Sequence, residues 1–375
     1  MSTSTAFAAF ELIKKPLTEL QEVLAEYCAE VKVTKYPQTC IIKFNPSTTA
    51  SHPTINQLRG LIYNVETAEI YSLGYPVPAE FKDYSPTVQG NIVRSIKAAG
   101  YTIHEALDGT LLRLWYHPLV KQWILSTNGV EDANDAYWMN GVSFGTLFNT
   151  TLTGILSNLK TDYVYLFSLC HPLNVIVVNH EKPQIYHVAT YDRTTLQEVE
   201  CDLGVQKAPQ LEMTVEDAIK STQESISKPV LSAGFVIKQK PDADGVVYRF
   251  RVENANYTKA RRLRGDTNEI NLTIIGHLIK QDLDEFLLYY PIYKQLAQQL
   301  QECINRLVTI LTDEYTLRFK KHLKIFVHPL HHTFLFELHQ IYLTQLRQSG
   351  QTVQGADIKK YLLSQSVIRI NQLLN

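Results

Sequence analysis

Across residues 16–30 the apolar side chains Leu17, Leu20, Leu24 and Tyr27 recur at three- and four-residue intervals behind Thr18 and Glu19, which predicts a short amphipathic helix. The pattern then changes to that of strands. Residues 31–35, 40–45, 60–64 and 69–73 are rich in β-branched and aromatic side chains and are separated by Pro, Asn and Ser-Thr clusters. Residues 111–117 and 122–126 read as a hairpin, 135–159 as a helix, and 163–169 and 175–179 as buried strands. Strands at 185–191, 234–239 and 246–252 complete the β-rich region. From residue 268 onward the period lengthens, and 272–279, 286–312, 315–327, 329–347 and 358–374 are expected to be helical. The fold class expected is therefore α+β: a β-rich domain over 1–267 and an α-helical C-terminal domain over 268–375, with the boundary near 265–271. No internal repeat is evident.

The 375 residues are 45% hydrophobic and 19% charged, the balance of a globular chain with a substantial core. A formal net charge of −1 excludes long-range attraction to nucleic acid or an anionic membrane, so any such binding depends on local patches. Cys28, Cys40, Cys170, Cys201 and Cys303 are odd in number and lack C-x-x-C spacing, which fits free thiols in a reducing, intracellular and cytoplasmic setting. The apolar stretch at 6–12 contains Glu11 and runs into Lys14 and Lys15, and no run of eighteen apolar residues occurs. Neither a signal peptide nor a membrane partner is expected.

Candidate chemistry centres on Tyr101-Thr102-Ile103-His104-Glu105-Ala106-Leu107-Asp108-Gly109-Thr110, followed by an aromatic strand and Ser126-Thr127-Asn128-Gly129. Leu58-Arg59-Gly60-Leu61-Ile62 and the segment from Tyr75-Pro76 to Phe81-Lys82 precede it. Leu166-Phe167-Ser168-Leu169 with Pro172-Leu173-Asn174-Val175, then Ala233-Gly234-Phe235-Val236, then Arg249-Phe250-Arg251, follow it. In order and spacing these pieces resemble the RNA ligases of the bacteriophage tRNA-repair type, within the covalent nucleotidyltransferase superfamily. The family patterns are K-x-D-G-S/T, S-K/R-G, R-G-hydrophobic, R-P-x-x-K-F-F-N, F-E-F, E-G-hydrophobic-V and K-x-K. The resemblance spans residues 31–259, and the helical tail matches only in class. It implies an antiparallel-sheet nucleotidyltransferase (ligase-like) core, in which a lysine amine attacks the α-phosphorus of ATP to form a phosphoramidate.

Here the lysine position holds Ala106, so covalent catalysis through it is chemically closed. Asp108 and Gly109 remain, but Ala79, Asn128, Ser168 and Ala233 stand where the family carries cations or carboxylates. No catalytic residue is therefore assigned. Loss at many positions favours natural degeneration over a single engineered change, and neither Lys97 nor Lys121, the nearest lysines in sequence, follows a strand into Asp-Gly. The function expected is a catalytically inactive ligase-like protein kept for RNA binding or for protein assembly, with a place in a viral particle as a special case. The alternative is an ATP-dependent RNA ligase carrying an inactivating substitution at residue 106; only that alternative calls for ATP and Mg²⁺.

Arg59, Arg249, Arg251, Lys259, Arg261, Arg262 and Arg264 are the candidate phosphate contacts, the last four forming a basic run whose ordinary reading is a solvated linker. They are expected to stay cationic with the neighbouring carboxylates gone. His328, His331, His332 and His339 have helical spacings, but no cysteine or carboxylate completes a metal set, and no metal is expected. The stripe Leu288, Tyr289, Ile292, Leu296, Leu300 and Ile304 reads as a helix-bundle seam first and a protein-binding groove second.

Overall fold

The computed structural model describes residues 8–44, 55–138, 141–152, 154, 156–224, 232–243, 246–265, 267, 269–347 and 351–374. The chain divides into two compact units, Met1–Arg261 and Arg262–Asn375, so the division falls a few residues before the 267/268 boundary expected.

The first unit opens with α1 (Leu17–Ala25), which buries Leu20 and Leu24. A first sheet follows in the order β1 (Ala29–Val33), β2 (Thr39–Phe44), β3 (Ile62–Asn64) and β4 (Ile70–Ser72), all antiparallel. Next along the chain come β5 (Ala79–Glu80), α2 (Pro86–Ala99), β6 (Tyr101–Glu105), β7 (Thr110–His117) and β8 (Gln122–Ser126). They are followed by α3 (Phe144–Thr151), β9 (Tyr163–Cys170), β10 (Gln184–Asp192), β11 (Gln210–Leu211), α4 (Val215–Glu224), β12 (Gly234–Gln239), β13 (Arg249–Glu253) and α5 (Ala255–Arg264). The second sheet has the order β10-β9-β7-β8 and the third β11-β6-β12-β13-β5, antiparallel except for the β13–β5 pair.

Strand β9 is buried along nearly its whole length because both of its faces are covered. Val164 and Leu166 join the core containing Trp115 and Ile124. Their neighbours Tyr165, Phe167 and Leu169 alternate to the other side, where Leu112 and Phe148 close a second core. A third core, with Ile96, Ile103, Val215, Ala218 and Ile237, fixes α2 and α4 against the third sheet.

The second unit is helical: α6 (Ile270–Lys280), α7 (Leu283–Tyr289), α8 (Lys294–Tyr315), α9 (Pro329–Ile341), α10 (Gly355–Leu363) and α11 (Val367–Leu374). Its own core gathers Ile304, Leu307, Leu311, Phe334, Leu335, Leu362 and Ile370.

Several expected elements are corrected. Residues 135–159 do not form one helix. Asp132 accepts from the Asn134 amide to set a 3-10 turn, and α3 begins only where Ser143 Oγ accepts from the Thr146 amide. Residues 175–179 bury Val175 and Val177 but form no strand. Pro291, with no amide hydrogen, separates α7 from α8 inside the single helix expected at 286–312. The helix expected at 315–327 ends at Tyr315 in a π turn, Thr316–Lys320, after which His322 adopts a left-handed backbone with φ 53°. The one expected at 358–374 is two helices. Helices α2, α4 and α5 were not anticipated, although Ser85 followed by Pro86 is a helix-start signal.

Candidate functional site

Strand β6 carries the chain into Ala106, and the turn 106–109 returns it as β7. A backbone hydrogen bond holds this turn on the third sheet. The Ala106 amide donates to Gly234 O at 2.9 Å. Gly234, at φ +100°, lies so close to β13 that a Cβ there would stand 2.1 Å from Val252 O. Gly109 meets the second sheet just as tightly, since a Cβ there would be 2.6 Å from Ser168 Oγ and 2.7 Å from Leu169 O. Ser168 is 5% exposed.

Asp108 is buried, and its carboxylate is fully engaged. Oδ2 accepts from the amides of Val177 at 2.9 Å and Val178 at 2.6 Å, and Oδ1 accepts from Tyr257 Oη at 2.6 Å. The residue therefore ties the 175–180 segment and α5 to the turn, and the amides that a strand at 175–179 would have spent on a neighbour go to a side chain. Burial first, and the Asp108 carboxylate second, push the Tyr257 hydroxyl well above its ordinary pKa.

Between the second and third sheets lies a cleft of about 650 Å³, walled by Ala106, Leu107, Gly109 and Ser168 among others. Tyr75 and Arg251 also line it, so residues 75, 106, 107, 109, 168, 236 and 251 converge on one cavity. Ala233 is 1% exposed and lies outside the wall.

The cleft is not stripped of carboxylates, contrary to expectation. Glu105, Glu198 and Glu200 line it beside Lys207, Lys238 and Lys240. Lys238 Nζ lies 2.5 Å from Glu198 Oε1, and Lys207 Nζ 2.9 Å from Glu200 Oε2. Glu198 and Glu200 come from the connection after β10, far from any recognisable pattern, which is why sequence reasoning missed them, while Glu105 ends β6 within the pattern quoted above. Lys97 and Lys121 are exposed and do not line the cleft; Lys97 pairs with Glu216 on α4.

The candidate phosphate contacts separate into two groups. Arg249 is buried, ion-paired with Glu198, bonded to Tyr191 Oη at 3.0 Å and stacked over the Tyr75 ring. Arg264 is 1% exposed and donates to Thr267 O at 2.8 Å. Neither is presented to an RNA backbone, and both assignments are corrected: each guanidinium turns inward and spends donors on its own unit. Arg251 pairs with Glu253 at 3.3 Å and covers the Tyr257 ring.

Lys259, Arg261 and Arg262 are exposed on α5, and Arg59 is half-buried. Burial, and then the positive charge of Arg261, lower the Arg59 pKa. Among the described residues neither is in an ion pair.

Sequence reasoning also missed Arg113. It is fully buried on β7, donates to Gly60 O, and donates to Thr127 O at 2.6 Å, joining the Arg59-Gly60 and Ser126–Gly129 pieces. Burial lowers its pKa to about 9, which leaves it charged at neutral pH. In the second unit, His331 bonds Glu314, His332 bonds Arg318 and His339 bonds Tyr315. All five cysteines are free thiols, and among the described residues no helix is long and apolar enough to cross a membrane.

No protein-family model matches the chain. A curated relative, an immediate-early protein ICP-46 homolog of Invertebrate iridescent virus 3, is 20% identical over 291 residues. The match covers 73% of this chain and 62% of that protein, so the chain spans less than two thirds of the relative's length. Among solved structures, an archaeal ATP-dependent RNA ligase is similar with a TM-score of 0.44 and 12% identity, over 78% of each chain. A putative ATP-dependent DNA ligase from Aquifex aeolicus is similar with a TM-score of 0.38 and 11% identity, over 76% of each chain.

Proposed function

We propose that the protein is a catalytically inactive relative of the ATP-dependent RNA ligases, of the bacteriophage tRNA-repair type, kept to bind RNA. One observation carries this reading: sequence pieces that resemble the ligase patterns and lie far apart in the chain line one open cleft, and the wall position of the attacking lysine holds the methyl group of Ala106. A methyl group cannot displace pyrophosphate from ATP. The cations Arg59 and Arg261, with Arg262 exposed beside Arg261 on α5, supply the phosphate contacts. The viral source of the curated relative supports a viral setting for such a role.

With labelled ATP and Mg²⁺ the protein should form no phosphoramidate on any lysine, Lys207, Lys238 and Lys240 included. Ala106→Lys alone should remain inactive, because Asn128, Ser168 and Ala233 leave the transition state without its charge-stabilising neighbours. Recovery of ligation by that one change would establish a ligase inactivated at a single position. RNA should bind weakly, with little sequence preference and an affinity that falls as salt rises. Replacing Arg59, Arg261 and Arg262 by Gln should reduce the salt dependence by roughly two to three phosphate contacts. No binding at low salt would leave assembly with other protein subunits as the role.

A further inference from the structure

In the second unit, residues 322–328 connect the π turn after α8 to α9, and they are neither helix nor strand. Burial alternates from Lys324 to His328. Val327 is buried and Ile325 half-buried against the core of that unit, while Lys324, Phe326 and His328 are exposed. This is the two-residue period of extended chain, with one face anchored and the other turned to water. Phe326 is 91% exposed and Leu323 51%. An aromatic ring held in solvent by an anchored backbone is in place for a flat partner.

Along the sequence the charge on either side of this segment has one sign. No acidic residue occurs between Glu314 and Glu337, and the interval contains Arg318, Lys320, Lys321 and Lys324. Two of these cations are engaged within the unit: Arg318 lies 2.8 Å from His332 and over the Phe336 ring, and Lys320 donates to Val353 O at 2.7 Å. Lys321 and Lys324 are exposed and, among the described residues, in no ion pair.

We infer that this face binds single-stranded RNA, with a base stacked on Phe326 and neighbouring phosphates met by Lys321 and Lys324. Stacking accepts any base, because every base has a π face, and the lysines follow the backbone without reading sequence. An anionic membrane calls for a broader apolar face than Phe326 and Leu323 provide. An acidic peptide would use the lysines but has no need of the ring. The inference rests on the RNA reading above for its class of ligand, and it adds a second surface to the one on α5.

The test titrates the full-length protein into a short labelled oligouridylate at several salt concentrations. Phe326→Ala should weaken binding about ten-fold with an unchanged salt slope, and Phe326→Trp should keep the affinity. Lys321→Gln with Lys324→Gln should lower the slope by about 0.7 per lysine. Binding that survives these changes but is lost with Arg59→Gln and Arg261→Gln would overturn this face and leave the RNA reading standing. No binding by the unaltered protein at low salt would overturn both. Equal affinity for polyglutamate, insensitive to Phe326→Ala, would assign the face to an acidic protein. Binding to phosphatidylserine vesicles in place of the oligonucleotide would assign it to a lipid surface.

Discussion

Asp108 is held by the fold whatever residue precedes it in the turn. Its carboxylate receives two backbone amides and a phenol, so it organises the turn whether or not the preceding position carries a nucleophile. The Asp-Gly pair is therefore accounted for by the folding of the turn. Glu131 is a second buried carboxylate with a consequence of its own: it is 5% exposed, and burial pushes its pKa up to about 7. The folded state then holds its proton to higher pH than the unfolded chain, whose carboxyl releases it near the ordinary 4.5. Between these values the folded state binds more protons, so stability falls as pH rises, and the cost is complete above about 7. Glu131→Gln should raise the urea midpoint at pH 8, by on the order of 2–3 kcal/mol, and change it little at pH 4. An equal shift at both pH values would show that this carboxyl is not the source.

At the scale of elements, strands whose two faces meet different surroundings were legible, and those whose partners are remote were not. β12 was read at its observed limits and β7 to β10 within a residue or two, because turn residues and apolar runs bound them. The stretches 135–143 and 175–179 failed although Ala136, Val175 and Val177 do enter the core: the helix starts only at Phe144, where Ser143 accepts from the Thr146 amide, and the Val177 and Val178 amides donate to Asp108. Periodicity reports burial, not the route of the backbone. The site was legible as a set of sequence pieces, while Glu198, Arg113 and Tyr257, which connect those pieces, carry no local signal. The Tyr257 connection can be tested. Tyr257→Phe keeps the ring in place and removes one hydrogen bond to a buried carboxylate, which should cost about 1.5–3 kcal/mol in the urea midpoint. Hydrogen exchange at the Val177 and Val178 amides should stay protected, since these donate to the other oxygen. Exchange rising at both amides together with a larger loss would mean that the three contacts form one cooperative network.

At the scale of the whole chain, each unit has a hydrophobic core of its own. Leu311 is fully buried in the core of the second unit, among Ile304, Leu307 and Phe334, and Leu311→Ala should remove about 2–5 kcal/mol of stability from that unit. The sequence provides a reporter that separates the two units, because Trp115, Trp123 and Trp138 all lie in Met1–Arg261. Tryptophan emission therefore follows the first unit, while far-ultraviolet circular dichroism is weighted toward the helices of the second. If each core unfolds as its own cooperative block, Leu311→Ala lowers the midpoint seen by circular dichroism and leaves the tryptophan midpoint where it was. A common shift in both signals would show that the chain unfolds as a single block. RNA binding by the variant, measured below its lowered midpoint, should persist, because Leu311 is fully buried and offers no contact to a ligand.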